Sequence, residues 1–238
     1  MRRLFLFFFI ISTSTATNAQ PQFSGWLASF NTFRINNKLS LHFDAQLRST
    51  DEIKSVQSIL LRPGLNVHIS KSWVLTVGYA YIANRRTVGD ITNLLPEHRI
   101  WQQALFNHKI NRIAVAHRFR FEERFISKAV VEDNELETDG FNQALRFRYF
   151  IRSIVPLVNQ SSFVKGPFFA VQNEVFLNTG NKTTVNGKTF DQNRLYGALG
   201  YRLQGKLDIE AGYMNQYTST AASFINNHIV QIALYKRL

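Results

Sequence analysis

The chain has 238 residues, enough for one sizeable all-β domain, and carries 28 Lys and Arg against 16 Asp and Glu, a formal charge of +12. It has no cysteine, which excludes disulfides, thiolate metal sites and a cysteine nucleophile. Hydrophobic residues make up 45% and are unusually rich in rings, with 21 Phe, 8 Tyr and 3 Trp; the slightly negative mean hydropathy excludes a helical membrane protein but not a membrane barrel, whose apolar and polar residues alternate and average out.

The first residues have the layout of a signal peptide. Arg2 and Arg3 form a charged region, Leu4 to Ile11 an apolar run, and Thr17-Asn18-Ala19 a small-residue cleavage site. The apolar run is far shorter than the roughly 20 residues a spanning helix needs. Residues 1–19 are therefore expected to be removed, leaving 20–238 as one exported domain. Loss of Arg2 and Arg3 takes the basic count from 28 to 26, so a basic excess persists. The arginines sit on strand faces among Phe and Leu rather than in runs, and no nucleic-acid-binding motif accompanies them, so no nucleic-acid partner is expected.

Phe23 to Ile35 is aromatic-rich with poor alternation, and its place in a sheet wall is open. Asn36-Asn37 signals a turn. Lys38 to Ser49 alternates cleanly, with Leu39, Leu41, Phe43, Ala45 and Leu47 opposite Ser40, His42, Asp44, Gln46 and Arg48. Ile59 to Ile69 repeats the pattern around Pro63, where a bulge or bend is expected. Trp73 to Tyr81 follows, then a loop over Arg86 to Pro96. Glu97 to His108 and Arg112 to Phe125 make the next two strands, with a turn near Asn107 to Asn111. Ser127 to Gly140 reads as a long acidic loop. Phe141 to Arg152, Pro167 to Asn178, Phe190 to Gln204, Leu207 to Ser219 and Asn226 to Leu238 complete the series, with a polar loop over Thr179 to Thr189. Gly-Tyr recurs at Gly78-Tyr79, Gly200-Tyr201 and Gly212-Tyr213, as in repeated hairpins.

These runs exceed the roughly 5–6 residues of an average soluble strand and match the roughly 9–11 of a transmembrane one. Rings gather near their ends, as in interfacial girdles. The expected architecture is a single antiparallel transmembrane β-barrel, with short turns on one side and longer polar loops on the other. Eleven runs are visible, but bacterial barrels have even strand numbers, so ten or twelve strands are expected. A secreted soluble β-sandwich or barrel is the alternative.

His117 to Phe125, HRFRFEERF, shows what such a wall implies. Phe119 and Phe121 share one face; Arg118, Arg120, Glu122 and Arg124 share the other, which would line the lumen. Crude registers set Glu97 opposite Glu122 and Arg99 opposite Arg120, giving diagonal pairs Glu97–Arg120 and Arg99–Glu122. Glu210 is expected to face Arg202, and Glu174 to face Arg194. Arg118, Arg146, Arg148 and Arg152 have no evident partner, unless loop acids such as Glu135 or Glu137 fold inward. The lumen is thus either a sealed charge network or a narrow anion-leaning channel, which admits a small anionic solute. Catalytic signals are thin. His42 with Asp44, and His68 on the next strand, lack a nucleophile elbow or metal-ligand spacing, so no cofactor or metal is expected. An enzyme acting on lipid or lipopolysaccharide is a further alternative.

LRPGL (61–65), VGYAY (77–81), PEHRIWQQ (96–103), HRFRFEERF (117–125), LRFRYF (145–150), NEVFLN (173–178), FDQNRLYGALGY (190–201) and EAGYMNQY (210–217), in this order, give a chain that resembles domain of unknown function 2490, a family of outer-membrane β-barrels of Gram-negative bacteria. The resemblance implies a barrel in the outer membrane, with lipid and lipopolysaccharide as its surroundings. It supplies no substrate and no catalytic residue.

Overall fold

Alternation of period two runs through almost every segment, so the backbone extends and each strand presents one apolar and one polar face. In a computed structural model, which describes residues 20–159 and 162–238, eleven strands result: β1 (Gln20–Arg34), β2 (Leu39–Ser49), β3 (Val56–His68), β4 (Trp73–Val88), β5 (Ile91–Ile110), β6 (Ile113–Glu132), β7 (Glu135–Pro156), β8 (Gly166–Thr179), β9 (Phe190–Leu203), β10 (Leu207–Ser219) and β11 (Phe224–Arg237). Among the described residues the helical content is one 3-10 turn, Asp51–Ile53. The expected signal peptide, residues 1–19, lies outside the described residues.

Each strand pairs antiparallel with its neighbours in sequence, and β1 closes the barrel by pairing in parallel with β11, from Gln20↔Ile225 to Thr32↔Arg237. The expectation of an antiparallel barrel with ten or twelve strands is thereby corrected to a mixed barrel with eleven. An odd number of strands alternating up and down leaves the first and last pointing the same way, so closure is necessarily parallel. β1 pairs on its other side with β2, from Trp26↔Arg48 to Arg34↔Ser40. Its weak alternation has a simple cause: Trp26, Ala28 and Phe30 face inward, so rings and small apolar residues occupy the parity that is polar elsewhere.

One end of the barrel carries the β1–β2, β3–β4, β5–β6, β7–β8 and β9–β10 connections and is called here the turn end; the other is the hairpin end. The expected loops over 86–96 and 127–140 are instead hairpin arms at the hairpin end. The β4–β5 ladder continues to Val88↔Ile91 and the β6–β7 ladder to Glu132↔Glu135. Asp133 and Asn134 both have positive φ (46° and 64°), as a tight two-residue turn of primed type requires. Much of each arm is exposed on both faces, so hydrophobic alternation disappears there although the ladder persists. Loop length does not segregate by end: the β7–β8 connection, described over 157–159 and 162–165, joins its strands at the turn end, and its nine positions nearly match the ten of 180–189 at the other.

Pro63 points outward. It interrupts the β3–β4 ladder between Leu61↔Tyr81 and Gly64↔Gly78 without shifting the register, so a gap replaces the expected bulge. The recurrent Gly-Tyr pairs acquire a cause here. Each glycine faces inward beneath a ring: Gly78 under Trp101, Gly200 under Phe168, Gly212 beside Tyr196, and a Cβ on any of them would collide with that ring. Each tyrosine faces outward and is exposed. Gly64 and Gly78 together let Trp101 lie flat along the wall, fully buried with Leu60, Ala80 and Ile82.

Candidate functional site

The lumen is polar because the inward parity of β2, β3 and β5 to β10 carries charge. On β6, Arg120 and Glu122 are 2% and 1% exposed, whereas Phe119 and Phe121 between and beside them are 41% and 39% exposed. The outer surface is a continuous apolar coat that includes Leu27, Leu41, Leu65, Val77, Ile100, Phe119, Val171, Leu199 and Ile232. Rings and histidines border it. Trp73 packs on Phe106, and His117 bonds His108 at 3.1 Å and the Tyr149 hydroxyl at 2.9 Å near the turn end. Tyr79–His98 (2.5 Å), with Phe141 against His98, and stacked Tyr217 and Phe224 lie toward the hairpin end.

Glu122 is the hub of the lumenal charges. Arg148 reaches its Oε1 at 2.5 Å, Arg146 its Oε2 at 2.6 Å, and Arg99 and Arg120 stand at 3.5 and 3.7 Å. Glu97 accepts from the Nε of Arg99 at 2.7 Å and of Arg124 at 2.6 Å. Glu174 takes Arg118 at 2.6 Å and Arg148 at 2.7 Å, and Arg146 also reaches Asp191 at 2.9 Å. Arg120 donates to Gln103 Oε1 at 2.7 Å and stacks 4.2 Å from the Trp101 ring. Side chains of five neighbouring strands, β5 to β9, are therefore joined along one arc of the lumenal wall. Toward the turn end, Arg152 pairs with Glu210, Arg202 and Arg237 each bond Asp208 at 2.8 Å, and Arg62 bonds Asp44 at 2.5 Å.

Several pairings expected from register are corrected. The β5–β6 turn falls at Asn111-Arg112, two residues beyond the centre of the turn expected over Asn107 to Asn111, which shifts the register by four, so Glu97 lies opposite Ile126 and Arg99 opposite Arg124. Arg99–Glu122 contact survives as a longer reach, while Glu97 pairs with Arg124 rather than Arg120. Glu210 lies opposite Gly200, so Arg202 takes Asp208 instead. Glu174 does lie opposite Arg194, yet bonds Arg118 and Arg148. Arg118, Arg146, Arg148 and Arg152 all have carboxylate partners, but from lumenal strands; Glu135 and Glu137 stay exposed on their hairpin arm. The sequence weighs Asp44 only beside His42 and assigns Arg62, Asp191 and Asp208 no role, though the inward parity of Asp44 and Arg62 is visible in it.

Below this layer a cavity of about 480 Å³ extends to the turn end, with Arg48, Arg62, Arg118, Arg148, Glu174 and Arg194 at its inner part and Asn107, Lys236 and Arg237 near its mouth. A polar chain runs along one wall: Gln103 to Thr76 (3.2 Å), Thr76 to Asn66 (2.7 Å), Asn66 to Ser40 (3.1 Å), and Ser40 to His68 Nε2 (2.9 Å). Ser40 is buried and already accepts from Asn66, so this serine–histidine contact is spent within the chain. His42 edges onto Trp101 at 5.8 Å and lines the cavity without a partner for its Nε2. Among the described residues, no group of three His, Cys, Asp or Glu side chains is arranged to hold a metal ion.

Residues 23–227 match the family described as "Protein of unknown function (DUF2490)", and the chain belongs to that family. It is 27% identical over 233 residues to an uncharacterized protein of Methylorubrum extorquens strain AM1, covering 96% of this chain and 94% of that one. Its fold is similar to a solved NanC porin structure in a rhombohedral crystal form, with a TM-score of 0.51, 9% identity, and coverage of 90% of this chain and 98% of that chain. At that identity the likeness concerns the fold alone, a porin-like β-barrel.

Proposed function

We propose that this family member is an exported barrel of the Gram-negative outer membrane, non-enzymatic, with a lumen closed to free solute flow by its own charge layer. The sidedness of β6 carries the reading. The nine residues His117–Phe125 set exposed Phe119 and Phe121 against buried Arg120 and Glu122, an arrangement that suits lipid outside and paired charge inside. At 20 residues β6 is longer than the roughly 9–11 that cross a bilayer as a tilted strand, which leaves its far part for the hairpin arm. The bordering rings favour two interfaces, and the hairpin arms suit the aqueous phase beyond one of them. Lipid and lipopolysaccharide are the partners this surface fits.

The narrow anion-leaning channel is the competing reading, supported by the excess of arginine over carboxylate. Closure is favoured over it because Glu122, Arg146, Arg148 and Glu174 neutralise one another along neighbouring strands, and Arg152 on β7 reaches Glu210 three strands away and the Tyr235 ring, at 4.9 Å, four strands away. A lipid-modifying enzyme ranks lower, since buried Ser40 is engaged by both Asn66 and His68. Membrane fractionation with heat-shifted gel mobility tests the location; release by carbonate as a soluble protein would end it. In planar bilayers the wild-type barrel is expected to pass no steady current. A current that falls in Arg118→Ala and Arg148→Ala would install the channel reading instead.

A further inference from the structure

We infer that the turn-end cavity is a binding site for a small amphipathic organic anion, with a carboxylate or phosphate group held between Arg48 and Arg194 and an apolar body lying against the cavity's rings. This deepens the closed-barrel reading, on which it rests, by giving the open half of the lumen an occupant.

The charge pattern singles out the site. Arg62, Arg118, Arg148 and Arg152 on the cavity wall each touch a carboxylate. Among the described residues, Arg48 and Arg194 touch none within 4.0 Å. Arg48 donates only to Gln46 Oε1, at 2.6 and 3.2 Å, and Arg194 only to Gln192 Oε1, at 3.4 Å. Arg194 Nε is buried with no acceptor. The two cations converge on one ring: their guanidinium carbons stand 3.9 and 5.0 Å from Trp26. Two like charges sharing an indole and lacking a counter-charge create a positive potential that an anion relieves, because cations removed from bulk water are stable only when paired. Planar guanidinium forks suit carboxylate and phosphate oxygens in particular.

The remaining wall defines the rest of the ligand. Trp26, Phe30, Phe150, Met214 and Tyr235 give it an apolar side, and Phe30 stacks on Tyr235 at 4.7 Å. Guanidinium groups cap part of this side, Arg118 over Phe150 and Arg152 over Tyr235, yet Phe30, Phe150 and Tyr235 stay half-buried, and an anion with a ring or short alkyl body would cover more of them than a bare inorganic anion. The volume, about 480 Å³, lies in the range of ligand pockets, roughly 300–1,000 Å³. Lys236 at the mouth favours entry of anions over cations, Arg237 beside it being held by Asp208.

The test is calorimetric titration of the full-length mature barrel in zwitterionic detergent, with phenyl phosphate, inorganic phosphate, benzyl alcohol and benzylamine as probes, after heat-shifted mobility has been recorded on the same sample. Phenyl phosphate is expected to saturate one site and to bind at least about tenfold tighter than inorganic phosphate or benzyl alcohol, with benzylamine silent. Arg48→Gln and Arg194→Gln are each expected to weaken it by about tenfold or more, while Arg85→Gln, on a hairpin arm far from the cavity, leaves it unchanged. No binding by protein that shows the mobility of an intact barrel would overturn the site and leave the barrel reading standing. Equal affinity for inorganic phosphate and phenyl phosphate would overturn it as well. A sample without the mobility shift and without binding would overturn both. Should either glutamine variant fail to fold, the probe panel on the wild-type chain decides alone.

Discussion

Glu122→Gln is the sharpest test of the lumenal layer. The carboxylate is 1% exposed and accepts from Arg148 at 2.5 Å and Arg146 at 2.6 Å. The amide keeps the shape but removes the charge and turns an NH2 group toward a guanidinium. Breaking a buried ion pair by removing one partner costs about 3–5 kcal/mol. Two charge-assisted hydrogen bonds at about 1.5–3 kcal/mol each give a similar figure. Arg148 retains Glu174 at 2.7 Å and Arg146 retains Asp191 at 2.9 Å, which draws the expected loss to the lower end, about 3 kcal/mol. The assay is urea unfolding in lipid vesicles, followed by tryptophan emission and by gel mobility. Trp101 lies opposite Glu122 in the ladder and stacks on Arg120, so its emission reports on this layer. Glu123→Gln is the control: its side chain faces outward toward Gln143, and its loss is expected to stay within about 0.5 kcal/mol. Arg146→Gln should cost less in the Glu122→Gln background than in the wild type, since the pair is coupled. A loss under about 1 kcal/mol for Glu122→Gln, or strict additivity in the cycle, would mean that lumenal water rather than Glu122 neutralises these arginines, and the closed layer would be wrong.

Three further outcomes are expected. Phe121→Arg places a cation on the outward face midway along β6 and should destabilise the vesicle-embedded barrel by about 2–4 kcal/mol; a change within about 0.5 kcal/mol in the same unfolding assay would argue for water rather than lipid at that face. Gly78→Ala drives a methyl into the Trp101 ring and should cost about 1–3 kcal/mol, a loss that shrinks in the Trp101→Ala background. Because the chain has no cysteine, Leu27→Cys with Ile232→Cys, partners in the parallel seam, should form a disulfide on oxidation; a chain that stays uncrosslinked, visible by gel mobility under non-reducing conditions, would place β1 elsewhere.

Period two alone shows which residues of a strand share a face, and HRFRFEERF therefore announced its two faces in the sequence. Partnership across the lumen is a different kind of information. Arg118 meets Glu174 from two strands away and 56 residues along the chain, and Arg152 meets Glu210 from three strands away and 58 residues along. Neither pair is set by a hairpin; both arise only once the wall has curved shut. Within hairpins the limit is the turn. Asn111 sits at φ +54°, and the turn it starts lies two residues beyond the centre of one placed over Asn107 to Asn111, a register shift of four that preserves every inward face but exchanges the partners of Glu97. An even shift is invisible to alternation, because only odd shifts turn side chains to the other face. Strand number escaped for a related reason. The inward side of β1 carries Trp26 and Phe30, rings that serve the cavity rather than the charge layer, so the strand that closes the barrel reads least like its wall. The seam and the cavity thus share residues: Trp26 belongs to the closing strand and bears the two cavity-lining arginines that, among the described residues, touch no carboxylate. A chain that closed with β1 elsewhere would lose the ring on which Arg48 and Arg194 both rest, so the crosslink at Leu27 and Ile232 bears on the anion site as directly as on the strand count.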